Sequence, residues 1–414
     1  MTNLLRLIVL YSFLLTIPDP VISQQELMLA FKDSLQSDVL DEQRDLWIHL
    51  PSGYSEDSEY PVLYLLDGQS NLRSTLGVVS QLSGKRAPSM IIVAVNNTNR
   101  NRDMTPYGME IPPGMEDNEQ LPAMFRDAGG GKQFVDFLIT ELIPHVEAKY
   151  ATAPYRILAG HSLTGLLALY ASIFHNDEFD ACIAVDPSIA WANGRLIKEL
   201  KEGHTFTDDR IFIGIANTFM ESTEELTEVE KNESNPHYGF ITQLGDKLET
   251  YSGQGLAFKS QYYPDESHNS APLITTYDGL RFIYKDYPAM NSLAKITMMV
   301  GKGATDEEID IALTRIMENY ESATKTYGFK IAPSQRMVNM IGYNLIEMNN
   351  VPTAEKFFLM NVHFYPESQN VYDSLGDCYV KMGKKEKAIA QFQKALEIEE
   401  RPHTKEKLEK LLAE

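Results

Sequence analysis

Gly160-His161-Ser162-Leu163-Thr164-Gly165 lies between an apolar run, Tyr155-Arg156-Ile157-Leu158-Ala159, and a second run, Leu166-Leu167-Ala168-Leu169-Tyr170-Ala171-Ser172. The first run predicts a strand and the second a helix, with a tight serine-bearing turn between them. That is the layout of a nucleophile elbow, whose turn strains the serine backbone and lifts its hydroxyl above the sheet. Small residues are needed there because strand and helix pass close together. The hexapeptide alone also fits a buried strand–helix junction without chemistry, so the remaining sequence has to decide.

Outward from the elbow, apolar runs recur at residues 60–66, 89–95, 181–185 and 210–216. Residues 44–51 alternate in polarity, as a half-buried strand does. Between them, residues 132–150 carry Phe134, Phe137, Leu138, Leu142 and Val146 on one helical face. Strands apolar on both faces and alternating with helices predict an α/β chain with a mainly parallel sheet covered on both sides. Its ligand site should lie beyond the carboxyl ends of the strands. Asp67-Gly68-Gln69, Ser162, Asp186 and Asn217 should gather there.

The last third differs. Residues 306–320 read as a helix, and from Ser334 an internal repeat begins. Gln335, Gly342, Ala354 and Phe358 recur as Gln369, Gly376, Ala388 and Phe392, each pair 34 residues apart. Tyr372, Leu375, Tyr379 and Ala395 complete the second copy, whereas the first has Asn361 where alanine is expected. Such a period builds stacked helix pairs of the tetratricopeptide kind, with residues 403–414 as a polar capping helix. The domain reading is therefore a signal peptide over 1–23, an α/β-hydrolase unit over 24–295, a helical linker over 296–333 and repeats over 334–414.

Thirty-seven Lys and Arg against 58 Asp and Glu give a net charge of -21. A surface of that sign repels nucleic acid and anionic membranes. At the N-terminus, Arg6 precedes a short apolar core over 7–17, Pro18-Asp19-Pro20 and a small-residue cleavage pattern at Val21-Ile22-Ser23. This is the pattern of an export signal, and predicts a periplasmic or secreted protein. No run reaches the roughly 18 uninterrupted apolar residues of a membrane span. Cys182 and Cys378 are the two cysteines; both fall in apolar or helical surroundings and predict free thiols rather than a disulfide framework or a metal cluster.

A serine hydroxyl needs a positioned base, and the α/β-hydrolase order places a histidine well after the serine. His268 fits, on the polar loop Pro264-Asp265-Glu266-Ser267-His268-Asn269-Ser270 after an edge strand at 258–263. His237, in a charged segment, is the rival, and His161 is expected to point away along the turn. For the carboxylate that orients the base, Glu221, ahead of Glu224, Glu225 and Glu228, occupies the usual place; Asp186, after the preceding strand, is the alternative. The backbone N–H of Leu163 and one at Gly68 or Gln69 are the candidate oxyanion donors. No metal or other cofactor is called for.

Several blocks together resemble the putative esterase family, which includes esterase D, enterochelin esterases and mycolyltransferases. They are Tyr64-Leu65-Leu66-Asp67-Gly68, Asn99-Arg100-Asn101-Arg102-Asp103-Met104-Thr105-Pro106, Gly130-Gly131-Lys132-Gln133-Phe134, Glu141-Leu142-Ile143-Pro144, Gly160-His161-Ser162-Leu163 and Asp186-Pro187-Ser188. The resemblance spans about residues 40–285, and the C-terminal repeats are similar to those of exported bacterial members. It implies a Ser–His hydrolase of carboxylic esters, with a small-molecule or carbohydrate-linked substrate and a candidate protein partner for the repeats. Three positions depart from the family pattern: Thr164 replaces Gly or Ala, Asp186 replaces Ser, and Ala192-Asn193 replaces Trp-Asp. Arg100, Arg102 and Asp103 follow it, and are expected to brace their loop rather than touch substrate. A non-catalytic binding scaffold and an acyltransferase on the same fold are the competing readings.

Overall fold

The computed structural model describes residues 29–109, 122, 126–219, 231–232, 234–289 and 291–413. The export signal over 1–23 and Glu221, Glu224, Glu225 and Glu228 lie outside the described residues. Eight strands form one sheet in the order β1-β2-β4-β3-β5-β6-β7-β8. They are β1 (Phe31–Ser37), β2 (Glu42–His49), β3 (Tyr60–Leu65), β4 (Ile91–Val95), β5 (Thr152–His161), β6 (Ala181–Val185), β7 (Asp209–Ala216) and β8 (Leu256–Tyr263). β1 pairs antiparallel with β2, and β2 with β4; every other pairing is parallel.

The interior strands are buried throughout β4, β6 and β7, as residues apolar on both faces require. Helices cover both faces. α1 (Gly68–Leu82), the short α2 (Arg100–Asp103), α3 (Gly131–Phe137), α4 (Ile143–Lys149), α5 (Leu163–Phe174), α6 (Arg195–Glu199), α7 (Pro236–Glu249) and α8 (Ala271–Ile283) alternate with the strands. A π-turn, Leu138–Leu142, joins α3 to α4 just before Pro144, which cannot donate to a helical ladder. From that turn Glu141 reaches the β1–β2 hairpin, accepting the backbone N–H groups of Asp38 at 2.9 Å and Val39 at 3.0 Å.

Beyond the sheet come α9 (Asn291–Gly301), α10 (Asp306–Tyr327), α11 (Gln335–Glu347), α12 (Val351–Phe364), α13 (Gln369–Lys381), α14 (Lys385–Ile398) and α15 (Pro402–Ala413). α10 runs past the expected end at 320, from a Thr305–Glu308 capping box to Gly328, whose φ of 70° closes it. The two repeat copies are two equivalent hairpins, α11–α12 and α13–α14. In each, a glycine faces a buried phenylalanine: a Cβ at Gly342 would lie 2.5 Å from the Phe358 ring, and one at Gly376 2.4 Å from that of Phe392. Asn361, the residue that departs from the repeat pattern, is buried but donates to the Gln335 carbonyl at 3.1 Å and to Asn339 Oδ1 at 2.7 Å.

No described helix is long and apolar enough to cross a membrane. Cys182 and Cys378 are free and buried, and burial pushes the Cys182 thiol up to about 12, so it stays protonated and inert.

Helix propensity favours Ala over Gly by about 1 kcal/mol, while overpacking a filled core costs about 1–3 kcal/mol. Gly376→Ala should therefore lower stability in urea unfolding, whereas Gly77→Ala, on the exposed side of α1 with no atom within 4 Å of the new Cβ, should raise it. Equal shifts for the two variants would contradict the packing assigned to the repeat.

Candidate active site

β5 ends in the predicted turn. Ser162 sits at φ 63°, ψ -117°, a conformation that a non-glycine residue adopts only when its surroundings impose it. Here the imposition is close approach, since a Cβ at Gly160 would lie 2.3 Å from the Thr164 carbonyl oxygen. Two strand-end bonds hold the strained residue: Ser162 N–H donates to the Val185 carbonyl at 2.9 Å, and Ser188 N–H to the Ser162 carbonyl at 3.0 Å. The Ser162 hydroxyl lies 3.2 Å from that of Ser188. It lines a cleft of about 440 Å³ together with Asp67, Gln69, Asn97, Arg100, His161 and His268.

His268 occupies a loop after β8 that β7 holds in place. Asn217 donates its N–H to the Glu266 carbonyl at 2.7 Å and its side-chain amide to the Pro264 carbonyl at 2.9 Å. His268 Nδ1 lies 2.5 Å from Asp186 Oδ2, which leaves Nε2 as the ring nitrogen available for proton exchange. The other oxygen, Asp186 Oδ1, accepts the Ala216 N–H at 3.0 Å. Burial alone would raise the Asp186 pKa; the His237 and His268 imidazoles and the Ala216 N–H outweigh it and hold the carboxyl well below the usual carboxylate range. Of the two candidate acids, the structure thus brings Asp186 to His268, and Glu221 falls outside the described residues.

One histidine differs from expectation, and the rival base also lies at the site. His161 does not point away: its ring centroid is 4.4 Å from that of His268, and burial together with the neighbouring imidazole lowers its pKa. His237, near the start of α7, places Nε2 3.1 Å from the same Asp186 oxygen. No short motif marks either role, because both depend on which loops the fold brings together.

The candidate oxyanion donors stand at two helix starts. Leu163 is the first residue of α5, and Gly68 and Gln69 are the first two of α1, so their N–H groups have no partner within the helix. Gly68 has to be glycine, since a Cβ there would lie 2.8 Å from that of Ala94.

Thr164 links these two starts. Its buried Oγ1 accepts the His161 N–H at 2.7 Å, and its proton is shared between Asp67 Oδ2 at 3.0 Å and the His161 carbonyl at 2.8 Å. Asp67, at φ 54° just ahead of α1, is in turn gripped by Arg100, with Nε 3.0 Å from Oδ1 and Nη2 2.8 Å from Oδ2. The residue that departs from the family pattern at this position therefore supplies a bond. Arg102 and Asp103 brace the loop, as expected: Arg102 Nε donates to Asp103 Oδ1 at 2.6 Å and Nη2 to Glu42 at 2.7 Å, while the buried Arg44 also pairs with Asp103. Arg100 both braces Asp67 and lines the cleft. Ala192 and Asn193 form a left-handed turn, at φ 49° and 56°. They border a second cavity of about 820 Å³, lined also by Arg195, Lys198 and Lys201 and sharing no lining residue with the serine cleft.

A strained serine elbow at the carboxyl edge of a mainly parallel sheet, with a histidine and a buried carboxylate beside it, defines an α/β hydrolase. Residues 37–261 match the sequence profile of the family described as Putative esterase, and residues 370–402 match a tetratricopeptide repeat. The chain belongs to the putative esterase family, and its class of activity is ester hydrolysis. The ferri-bacillibactin esterase BesA of Bacillus subtilis is 26% identical over 265 residues, covering 59% of this chain and 86% of that protein. The apo-salmochelin esterase of Escherichia coli is 31% identical over 150 residues, covering 35% of this chain and 46% of that protein. Among solved structures, an IroE-like serine hydrolase from Shewanella oneidensis is 28% identical with a TM-score of 0.61, covering 81% of this chain and 99% of its own. An uncharacterised protein from Capnocytophaga ochracea, 17% identical with a TM-score of 0.58, shares the fold over 93% of this chain and 100% of its own.

Thr164→Val keeps the shape and removes the hydroxyl, taking away the partner of the half-buried His161 N–H. It should cost about 1–3 kcal/mol in urea unfolding. Thr164→Ser, which loses only a buried methyl group worth about 0.8 kcal/mol, should cost less and keep more of kcat. A valine variant as stable as the native protein would remove the link.

Proposed function

We propose that the protein is a serine esterase in which Ser162 is the nucleophile, His268 the general base and Asp186 the carboxylate that orients it. One observation carries this reading: His268 Nδ1 rests on the buried Asp186 carboxylate, with the ring in the same cleft as the strained Ser162. Ser162 Oγ attacks the ester carbonyl carbon while His268 Nε2 takes its proton. Asp186 holds the Nδ1–H and stabilises the imidazolium as it forms. Negative charge gathers on the former carbonyl oxygen, where the N–H groups of Leu163 and of Gly68 or Gln69 meet it at the positive ends of α5 and α1. The imidazolium then protonates the departing alcohol, and water activated by the same nitrogen cleaves the acyl-enzyme. No metal or other cofactor takes part in these steps.

For substrate we infer an ester-linked siderophore, apo or iron-loaded. Two of the relatives are named for such esters. The cleft is open and polar, with Gln69, Asn71, Asn97, Arg100 and Asn269 around the serine, which suits a large hydrogen-bonding ester better than a long apolar acyl chain. Export, read from residues 1–23, and a protein partner for the repeats belong to the same reading.

Purified protein should hydrolyse a catecholate trilactone, followed by chromatography of the linear products, and should label with a fluorophosphonate at Ser162. Ser162→Ala should abolish both. Asp186→Asn should lower kcat roughly ten-thousandfold with little change in KM, because the imidazole is left in the wrong tautomer. Full activity of Ser162→Ala would refute the mechanism; cleavage of aryl esters but no lactone would refute the substrate alone.

A further inference from the structure

The esterase mechanism leaves one side chain beside its carboxylate without a task. His237 is fixed at the start of α7, where Pro236 occupies the first turn and the Asn235 side chain caps the helix by accepting the Tyr238 N–H. Its Nε2 is buried and makes no aligned hydrogen bond, although it lies 3.1 Å from Asp186 Oδ2. That oxygen is the one His268 Nδ1 touches at 2.5 Å. The two rings stand nearly perpendicular, at 78° with centroids 6.0 Å apart. One carboxylate oxygen and two imidazole nitrogens therefore converge within 4.8 Å of one another.

We propose that Asp186, His237 and His268 form an inhibitory site for a divalent first-row transition ion, with Zn²⁺ as its probe. Two histidines and one carboxylate are a donor set for such ions, whereas Mg²⁺ and Ca²⁺ prefer all-oxygen sites. Zinc holds nitrogen and oxygen ligands at about 2.0–2.2 Å, so tetrahedral donors lie about 3.3 Å apart. The His237–Asp186 separation is already close to that, and the His268–Asp186 pair has to open by less than about 1 Å. The buried carboxylate supplies the charge that draws the cation in.

The consequence for catalysis follows from the imidazole tautomers. In the working site the proton of neutral His268 sits on Nδ1, against Asp186, and Nε2 offers its lone pair. A metal on Nδ1 needs the lone pair of that nitrogen, so the ring proton leaves Nδ1 and moves through solvent to the Nε2 lone pair, and no proton is lost overall. His268 can then no longer accept the Ser162 proton, and Asp186 is engaged by the metal. The ion switches the esterase off without touching Ser162.

This inhibition rests on the base assigned to His268, so its test includes a measurement without catalysis. Zn²⁺ should inhibit aryl-ester hydrolysis reversibly, with recovery on chelation, while equal Mg²⁺ or Ca²⁺ has no effect. His237→Gln is read against its own zinc-free rate, because His237 also helps to keep Asp186 ionised. Even second-shell partners are worth roughly 10–100-fold in metal affinity, so loss of this direct ligand should raise the half-inhibitory Zn²⁺ concentration at least about tenfold. Calorimetry on Ser162→Ala should show one bound Zn²⁺, weakened by the same margin in the Ser162→Ala, His237→Gln double variant. Unchanged inhibition in His237→Gln, or unchanged zinc binding in the double variant, would overturn the proposal. Zinc binding in a protein without esterase activity would uphold the site and refute only the base.

Discussion

At the elbow, β5 and α5 approach until a single methyl group on residue 160 would lie 2.3 Å from a carbonyl oxygen of the helix. That contact dictates much of what surrounds it. Position 160 has to be glycine, and the chain can reverse only through a left-handed serine at φ 63°. The reversal brings Ser162 to the wall of the cleft and starts α5 at the very next residue, Leu163. The strain is held by its neighbours, with the Val185 carbonyl on one side and the Ser188 N–H on the other. Thr164 is compatible with so crowded a turn because its side chain extends towards Asp67 and finds a hydrogen-bond partner there.

Two buried carboxylates, Asp67 and Asp186, follow β3 and β6, and the way each is satisfied separates their tasks. Removing a carboxylate from water is costly unless it is paired and hydrogen-bonded. Asp67 meets Arg100 in a two-pronged pair and the Thr164 hydroxyl besides; a guanidinium keeps its charge at all working pH, so this carboxylate is locked into architecture. Asp186 meets two imidazoles and the Ala216 N–H. An imidazole, unlike a guanidinium, can gain or lose a proton, so the same kind of burial ties Asp186 to partners whose charge can change.

The sheet and the elbow were legible because they depend on local patterns. Runs apolar on both faces mark central strands, and a serine between small residues marks the turn. β1 was missed for the converse reason: Phe31–Ser37 is an edge strand, mostly exposed, and its sequence lacks a buried-strand run. α1 begins Gly68-Gln69-Ser70-Asn71, polar residues that conceal the buried Leu76, Val79 and Leu82 further on. At the site, the local elbow pattern pointed to Ser162 and chain order to His268. The pairing of His268 with Asp186, the stacking of His161 on His268 and the approach of His237 join segments 51 to 107 residues apart, distances over which periodicity carries no information. Thr164 was visible as an odd residue, but its benefit lies in Asp67, 97 residues away.

The helices after the sheet show the same divide between pattern and energy. The repeat was readable as a period of 34, yet where its core ends is not a matter of period. One contiguous cluster of buried side chains runs from Ile157, Ile183 and Val185 in the sheet through Leu280 and Tyr284 to Leu313, Phe357 and Phe392. Tyr327 of α10 packs edge-on against Tyr155 at 5.5 Å and bonds the Ile283 carbonyl at 3.1 Å, while Arg210 of β7 lies over the Tyr327 ring at 5.0 Å. Tyr155 lies near the start of β5, which ends at His161 just before Ser162. The residues that cover the foot of the elbow strand thus come from the segment that joins the hydrolase to its repeats, and large aromatic faces of that kind dominate the burial energy of an interface. The helical segment is part of what holds β5 in place, so the serine at its far end depends on packing that no motif around it records.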